Sequence, residues 1–152
     1  MTAARYTSFM GDALDLARAA VTVGEVPVGA VIVKAGQIIG RGHNRTRIDQ
    51  DPTAHAEMVA IRQATGFLGN DRLDGCDLWV TLEPCTMCAG AIAHARLRRL
   101  YYGTEDSKGG AVDSGVRFFD APTCHHRPDV YAGIESEAAA KLLLEFFRNR
   151  RD

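Results

Sequence analysis

The sequence predicts an α/β fold, a three-layer α/β/α sandwich around a mixed five-stranded sheet. Helical and extended hydrophobic patterns alternate along the chain, and this order places helices on both faces of a sheet. Only "KAGQ" separates the first two extended segments. They therefore form a hairpin, and the sheet is mixed rather than purely parallel. The 152 residues and the 46% hydrophobic content fit a single globular domain over residues 1–152.

Four segments have the pattern of helices. In the first, apolar residues recur at steps of three and four from Phe9 to Val21. Thr7 or Ser8 caps its start, and Gly24 ends it. The other three helices are expected over 53–65, with Gly66 as the stop, over 85–95 and over 135–150.

Five segments have the apolar and β-branched composition of strands. The third, "CDLWVTL", runs directly into Glu83-Pro84 and the third helix, so the cysteines of that helix follow the end of a strand. The expected strand ranges are 28–33, 38–43, 76–82, 98–103 and a short stretch within 128–134.

Composition argues against a membrane-spanning or secreted protein, and the charge gives no support for a nucleic-acid partner. The net charge of −1 lacks the strongly basic balance that is typical of nucleic-acid-binding domains. No apolar run approaches the roughly 20 residues of a membrane span, and the N-terminal segment lacks the apolar block of a signal peptide. We therefore expect a cytoplasmic protein with no membrane partner. In that compartment, closely spaced cysteines indicate metal or redox chemistry rather than a disulfide.

Two short motifs contain residues that can bind a metal. Cys85 and Cys88 lie three residues apart in the first turn of a predicted helix, so both thiols are on one face. The N-terminus of a helix also favours thiolates. His55 and Glu57 lie near the start of another predicted helix. Because residues two apart on a helix point roughly 200° apart, both reach one centre only if that centre lies at the helix end.

A histidine and two cysteines are ligands of the kind that zinc prefers. A catalytic zinc site leaves its fourth position to water, and a carboxylate such as Glu57 can take and return the proton of that water. Hydrolytic removal of an amino group from a base requires both properties. The order H-x-E…P-C-x-x-C also matches the known signature of zinc nucleobase deaminases.

Two other interpretations of these residues remain open at this point. A lone C-x-x-C in a cytosolic α/β protein also occurs in thioredoxin-like redox pairs. A structural zinc site would be closed by a fourth protein ligand, and Glu57 would then have no purpose. The candidates for that fourth ligand are His94, Cys124, His125 and His126.

Nearly the whole chain resembles the bacterial tRNA-specific adenosine deaminases of the cytidine-deaminase-like superfamily. The similarity extends through "EVPVGAVIV", "GHNRTRIDQDPTAHAE", "LWVTLEPCTMCAGAIAHARLRRLYYG", "EDSKGGAVDSG" and "FFRNRR". H-x-E and P-C-x-x-C mark only the superfamily. The longer "TLEPCTMCAGA", the D-x-K-x-G-A loop and the terminal "FFR" favour this branch. The segment "FFDAPTCHHRPDVYAGI" departs from the family pattern.

The resemblance implies a cytidine-deaminase-like fold, a homodimer and the anticodon stem-loop of tRNA as the partner. It implies that His55, Cys85 and Cys88 hold one Zn²⁺ per subunit and that Glu57 shuttles protons. Asn44 would hold the target nucleotide. The other substrate-binding residues implied by the resemblance are Val28, Gly29, Ala30, Ala56, Asp106, Lys108, His126, Phe147 and Arg148.

Some of these outer residues also have simpler interpretations. Asn44 follows a strand and could be an ordinary turn residue. Asp106 and Lys108 lie in a glycine-rich loop and could be solvated charges. Of the neighbouring Phe146 and Phe147, one is expected in the core.

The sequence supports three hypotheses for function. The leading one is zinc-dependent hydrolytic deamination of adenosine to inosine at the wobble position of tRNA anticodons. The alternative enzyme would apply the same chemistry to a free base or nucleoside, such as guanine, cytosine or cytidine. The third hypothesis is a zinc-stabilised RNA-binding module without catalysis, which predicts a closed metal site and tolerance of Glu57 loss.

Overall fold

A computed structural model describes residues 7–150, in which helices cover both faces of one sheet. Residues 1–6 and 151–152 lie outside the described residues. They are the two ends of the domain expected over residues 1–152, and they include the last arginine of the "FFRNRR" motif. Within residues 7–150, no helix combines the length and apolarity that a membrane crossing demands. The helices are α1 (Met10–Thr22), α2 (Ala56–Leu68), α3 (Thr86–Ala95) and α4 (Ser136–Arg148), with a 3-10 turn at Phe118–Asp120.

The sheet has five strands in the order β2-β1-β3-β4-β5, and it is mixed as predicted. β1 is antiparallel to β2 and β3, whereas β3, β4 and β5 run parallel. Ala35 and Gly36 join β1 to β2 with φ angles of 50° and 77°, and two positive values in succession are what a type I′ hairpin turn requires. The strands are β1 (Gly29–Lys34), β2 (Gln37–His43), β3 (Cys76–Leu82), β4 (Arg99–Thr104) and β5 (Asp129–Tyr131).

Successive residues of the central strands face opposite layers of the sandwich. Leu78 and Leu100 are buried beneath α2 and α3, whereas their neighbours Trp79 and Tyr101 are buried on the side of α1 and α4. The rings of Trp79 and Tyr101 are stacked with their centroids 3.8 Å apart. The near-continuous apolar composition of β3 and β4 therefore follows from burial on both faces.

The predicted range of the second helix was wrong at both ends. Thr53 is not helical, because its N–H and hydroxyl both donate to Asp51 Oδ1, at 2.9 and 2.7 Å, and hold a turn instead. Gly66 lies inside α2, and the stop is Gly69, which has a left-handed φ of 64°. The helix start is consequently shifted to Ala56, with His55 as the N-cap residue.

The other boundaries agree with the sequence prediction to within about two residues at each end. Ser8 Oγ accepts a hydrogen bond of 3.2 Å from Met10 N–H at the start of α1, but the N-cap residue is Phe9, one residue later than predicted. Glu135 has a left-handed φ of 53° and precedes α4 instead of belonging to it. Phe146 is buried and Phe147 is half exposed, so the expectation of one core phenylalanine is confirmed.

Gly42 of β2 allows α2 to pack closely against the strand. A Cβ atom at Gly42 would lie 2.5 Å from Ala56 O and 2.8 Å from Ala60 N. We expect Gly42→Ala to lower the free energy of unfolding by about 1–3 kcal/mol, since the strand or the helix has to move.

Gly66→Ala is the matched control for this prediction. It makes the same substitution within α2, where the added Cβ meets nothing within 4 Å. Alanine in a helix interior is favoured by about 0.5–1 kcal/mol, so this variant should be slightly more stable than the wild type. Urea unfolding compares the two, and equal midpoints would contradict the close packing of α2 on β2.

Candidate metal centre and active site

The site lies at one edge of the sheet, where two helices begin. The start of β1 pairs with the end of β2, Gly29 opposite His43, and Gly29 N–H donates to Thr81 Oγ1 near the end of β3 at 3.2 Å. α2 and α3 both start at this edge, with His55 and Cys85 as their N-cap residues. The predicted condition that the centre lies at a helix end is therefore met.

Three side chains form a cluster that fits a metal ion. Nδ1 of His55 lies 3.6 Å from Cys85 Sγ and 3.5 Å from Cys88 Sγ. Zn–S bonds of about 2.3 Å and Zn–N bonds of about 2.05 Å, set at a tetrahedral angle, place N and S about 3.6 Å apart. The observed spacing is therefore that of ligands around one tetrahedral zinc ion. Within the described part of the chain, this is the only such group of three potential ligands.

The two cysteines differ in their acidity. A hydrogen bond from the Cys88 thiol lowers the pKa of Cys85 to about 4 despite partial burial, and His55 acts in the same direction. The same hydrogen bond, together with burial, raises the pKa of Cys88. Cys85 is thus ready as a thiolate ligand, whereas a cation would have to displace the proton of Cys88, as coordinated thiols are deprotonated.

Glu57 contributes a buried carboxyl group next to the cluster. It belongs to the first turn of α2 and is only 4% exposed. Burial raises the pKa of its carboxyl to about 7, although its own N–H and the charge of His55 oppose the shift. The carboxyl also interacts with the Cys88 thiol. A carboxyl with a pKa near 7 can both accept and donate a proton at neutral pH.

A cavity of about 320 Å³ gives access to this cluster. His55, Glu57 and Cys85 line one side of it. A second cavity of about 390 Å³ lies beside the first, and the two share Val26, Leu82 and Asp106 as lining residues. The remaining lining residues of the first cavity are Val28, Asn44, Glu83 and Gly109.

Some of the predicted pocket residues line the first cavity, and others do not. Val28 and Asn44 line the cavity, and Asn44 N–H donates to Val28 O at 3.1 Å. Gly29, Ala30 and Ala56 are buried and are not among the lining residues.

The predicted RNA-contacting residues are divided between three places. Asp106 lines both cavities, and Lys108 and Phe147 line the second one. Arg148 is exposed at the end of α4. His126 lies elsewhere, because its Nε2 donates to Leu97 O at 2.7 Å.

The candidates for a fourth metal ligand are not at the cluster. His94, Cys124, His125 and His126 line a separate small cavity of about 80 Å³. Cys124 Sγ donates to His126 O at 3.1 Å. Among residues 7–150, the structure therefore offers three protein ligands beside Glu57, which is the arrangement of an open site.

Two buried glutamates were missed by sequence reasoning. Glu83 follows β3 and accepts hydrogen bonds from the backbone of the loop after β4. Burial opposes its ionisation, but the hydrogen bonds from Asp106 and Ser114 outweigh it and lower the pKa of the carboxyl. Glu25 accepts from Arg47 N–H at 3.0 Å and from Ile48 N–H at 2.8 Å. The only signal in the sequence was an acidic residue within a few positions of an apolar strand segment.

Comparison with known proteins agrees with this geometry. A family model of MafB19-like deaminases matches residues 6–151. A tRNA-specific adenosine deaminase of Agrobacterium fabrum is 59% identical over 148 residues, which cover 97% of each chain.

Solved structures extend the comparison. A structure from a study of A-to-I editing by tRNA:A34 deaminases at the wobble position is 60% identical, with a TM-score of 0.88, over 89% of this chain and 98% of the other. A guanine deaminase from Bacillus subtilis is 36% identical, with a TM-score of 0.64, over 95% of this chain and 94% of the other. The chain belongs to the MafB19-like deaminases and, among them, to the tRNA-specific adenosine deaminase family with its cytidine-deaminase-like fold.

Proposed function

We propose that this protein deaminates adenosine hydrolytically to inosine at the wobble position of a tRNA anticodon. Water replaces the amino group at C6 of the base, and ammonia leaves. The observation that supports this most is the cluster of His55, Cys85 and Cys88 beside a buried Glu57, in a cavity large enough for a base. The relative that is 59% identical along nearly the full chain supports adenosine in tRNA as the substrate.

The proposal includes one Zn²⁺ per subunit, held by His55, Cys85 and Cys88. The distances of 3.6 and 3.5 Å from His55 Nδ1 to the two sulfur atoms support this ligand set, because they match the spacing around a tetrahedral zinc ion. When bound in an open site of this type, zinc supplies Lewis acidity that lowers the pKa of water and makes it a nucleophile near neutral pH.

Glu57 moves the protons of the reaction. Its carboxylate takes a proton from the attacking water and donates it to N1 of adenine, so that C6 accepts the oxygen. Glu57 then takes the proton of the new C6 hydroxyl and passes it to the exocyclic nitrogen, so that ammonia leaves as the C6–N bond breaks and the C6 carbonyl of inosine forms. A pKa of about 7 for Glu57 suits both transfers, because neither protonation state is strongly favoured at neutral pH.

The arrangement of the two cavities supports a polynucleotide substrate. The first cavity can take the target base, and the second continues from it to the exposed Lys108 and Phe147. The target base has to leave its stack, and bases in an anticodon loop are already partly unstacked. Lys108 can neutralise a phosphate, and the half-exposed ring of Phe147 can stack on a neighbouring base.

Asn44 is expected to hold the target nucleotide. Because Asn44 lines the cavity and its backbone is bonded to Val28, Asn44→Ala removes a polar contact without removing a cavity wall. We expect kcat/KM for the stem-loop to fall about tenfold to a hundredfold, the effect of about 1.4–2.8 kcal/mol of lost binding. Steady-state kinetics with unchanged zinc content would confirm this, and an unchanged kcat/KM would contradict the role of Asn44.

A homodimer in the cytoplasm is part of the same proposal. It is supported by the resemblance of the chain to the family and not by a contact between subunits. Sedimentation equilibrium of the zinc-loaded protein tests the dimer.

A substrate comparison tests the proposed function. Zinc-loaded protein is incubated with an anticodon stem-loop that has adenosine at the wobble position, and separately with adenosine, guanine, cytosine and cytidine. Mass spectrometry should show inosine in the stem-loop and no turnover of the small molecules. Deamination of guanine, with no reaction of the stem-loop, would instead support a free-base deaminase. The 36% identity to a guanine deaminase is the reason for testing this alternative.

A further inference from the structure

One buried carboxylate holds a whole loop beside the active site. Glu83 is 2% exposed and lies between the end of β3 and Cys85. Its Oε2 accepts hydrogen bonds from the N–H groups of Val112, Asp113 and Ser114, at 3.0, 2.9 and 3.0 Å. Its Oε1 accepts from Asp106 N–H at 3.0 Å and from Ser114 Oγ at 2.9 Å.

All five donors come from residues 106–114, which we name the wall segment. The segment folds so tightly around Glu83 that a Cβ atom at Gly110 would lie 2.5 Å from the carboxyl carbon. Ala111 N–H adds a hydrogen bond of 2.9 Å to Pro84 O, next to Glu83. The fold of the wall segment is therefore built on Glu83 and its neighbour rather than on contacts within the loop alone.

The wall segment forms one side of the path to Glu57. Asp106 and Gly109 line the first cavity together with Glu83 itself, and Val28 and Asn44 also line it. Asp106 and Lys108 line the second cavity, which adjoins Phe147. A change in the position of this segment would change the shape of both cavities.

We propose that Glu83 is a positioning residue for the substrate. Glu83 accepts hydrogen bonds from four N–H groups and one hydroxyl and so fixes the position of the wall segment. Because Asp106 and Lys108 belong to this segment, Glu83 also fixes the path along which the target nucleotide reaches Glu57. This role in substrate binding rests on the proposed function, whereas the anchoring of the wall segment does not.

Glu83→Gln tests the proposal because an amide cannot accept at both ends. Its oxygen can take the place of Oε2 and keep three N–H donors, but its NH₂ group then faces Asp106 N–H, a second donor. Ser114 Oγ can adapt by accepting, since a hydroxyl can do both. The substitution therefore keeps the size of the side chain and breaks the bond to Asp106.

Glu25→Gln is the matched control. Glu25 is also fully buried and also holds a loop, through the two N–H groups that its Oε2 accepts. Its Oε1 is without a hydrogen-bond partner among the described residues. An amide can therefore keep both bonds with its oxygen and place NH₂ at the free position, so only the charge is lost.

Hydrogen–deuterium exchange without substrate measures the anchoring directly. We expect exchange within residues 106–114 to rise about tenfold or more in Glu83→Gln, the loss of a hydrogen bond to a charged group, and to stay at the wild-type rate in Glu25→Gln. Unchanged exchange in Glu83→Gln would overturn the anchoring.

Kinetics on the stem-loop measure the role in binding. Glu83→Gln should raise KM about tenfold, with kcat within about threefold of the wild type and zinc content unchanged. A fall in kcat at constant KM, or a loss of zinc, would overturn the positioning role. Ser114→Ala, which removes one donor to Oε1, should raise KM by a smaller factor. If Glu83→Gln does not fold, an unchanged KM in Ser114→Ala overturns the proposal.

The two proposals fail in different ways. A wild-type protein that leaves the stem-loop unchanged refutes the proposed function, and the exchange experiment still decides whether Glu83 anchors the wall segment. In that case the KM comparison is made with the base that the wild type deaminates. A wild type active on the stem-loop, with Glu83→Gln unchanged in both measurements, refutes only the role of Glu83.

Discussion

Glu57→Gln is expected to lower kcat for deamination by about 10²–10⁴-fold, the usual contribution of a general acid–base group. The amide has the size of the carboxyl and cannot move protons between water and the base. Burial disfavours the charged form of Glu57 and raises its pKa to about 7, so we expect the loss of that charge not to weaken the fold. Zinc content and melting temperature should therefore stay close to those of the wild type.

Glu137→Gln is the control for this prediction. Glu137 is the second residue of α4 as Glu57 is the second residue of α2, but it is exposed. Single-turnover measurements on the stem-loop should show wild-type rates for Glu137→Gln. A rate within tenfold of the wild type for Glu57→Gln would contradict its role in proton transfer.

Cys88→Ala is expected to remove the metal. Cys88 is fully buried, and its Sγ lies 3.5 Å from His55 Nδ1, so its loss leaves only two of the three ligands of the cluster. The bound zinc should fall from about one ion per subunit to less than about 0.1. A metal that binds only the folded protein, at 1,000 times its Kd, stabilises it by about 4 kcal/mol, and this contribution should be lost as well.

Cys124→Ala distinguishes the open site from a closed one. Cys124 lies in the separate cavity with His94 and His125, so its replacement should leave the zinc content and the unfolding midpoint of the zinc-loaded protein nearly unchanged. Metal analysis and thermal unfolding of the two cysteine variants test this together. Zinc lost from Cys124→Ala, or kept in Cys88→Ala, would contradict the three-ligand centre.

Each half of the metal cluster could be predicted from local structure, and the known signature H-x-E…P-C-x-x-C connected the two halves. His55 and Cys85 cap two helices, and Glu57 and Cys88 belong to the first turns of the same helices. Helix ends and short spacings are visible in a sequence. The mixed sheet was predictable for the same reason, since apolar patterns and the hairpin turn are local signals.

The parts that were missed depend on contacts between distant segments. Glu83 meets the wall segment 23 or more residues later in the chain, and Glu25 meets Ile48 in the same way. No periodic pattern marks such a contact. The start of α2 was misplaced because Thr53 donates two hydrogen bonds to Asp51 and holds a turn where the helix was expected to begin.

Deamination of the stem-loop in water enriched with ¹⁸O tests the central claim most directly. If zinc bound by His55, Cys85 and Cys88 activates water and Glu57 moves its proton, the wobble nucleoside becomes inosine whose C6 oxygen has the heavy isotope, and ammonia is released in equal amount. Mass spectrometry of the digested stem-loop measures both the conversion and the isotope. An unconverted wobble adenosine, or inosine without the heavy isotope, would contradict the account.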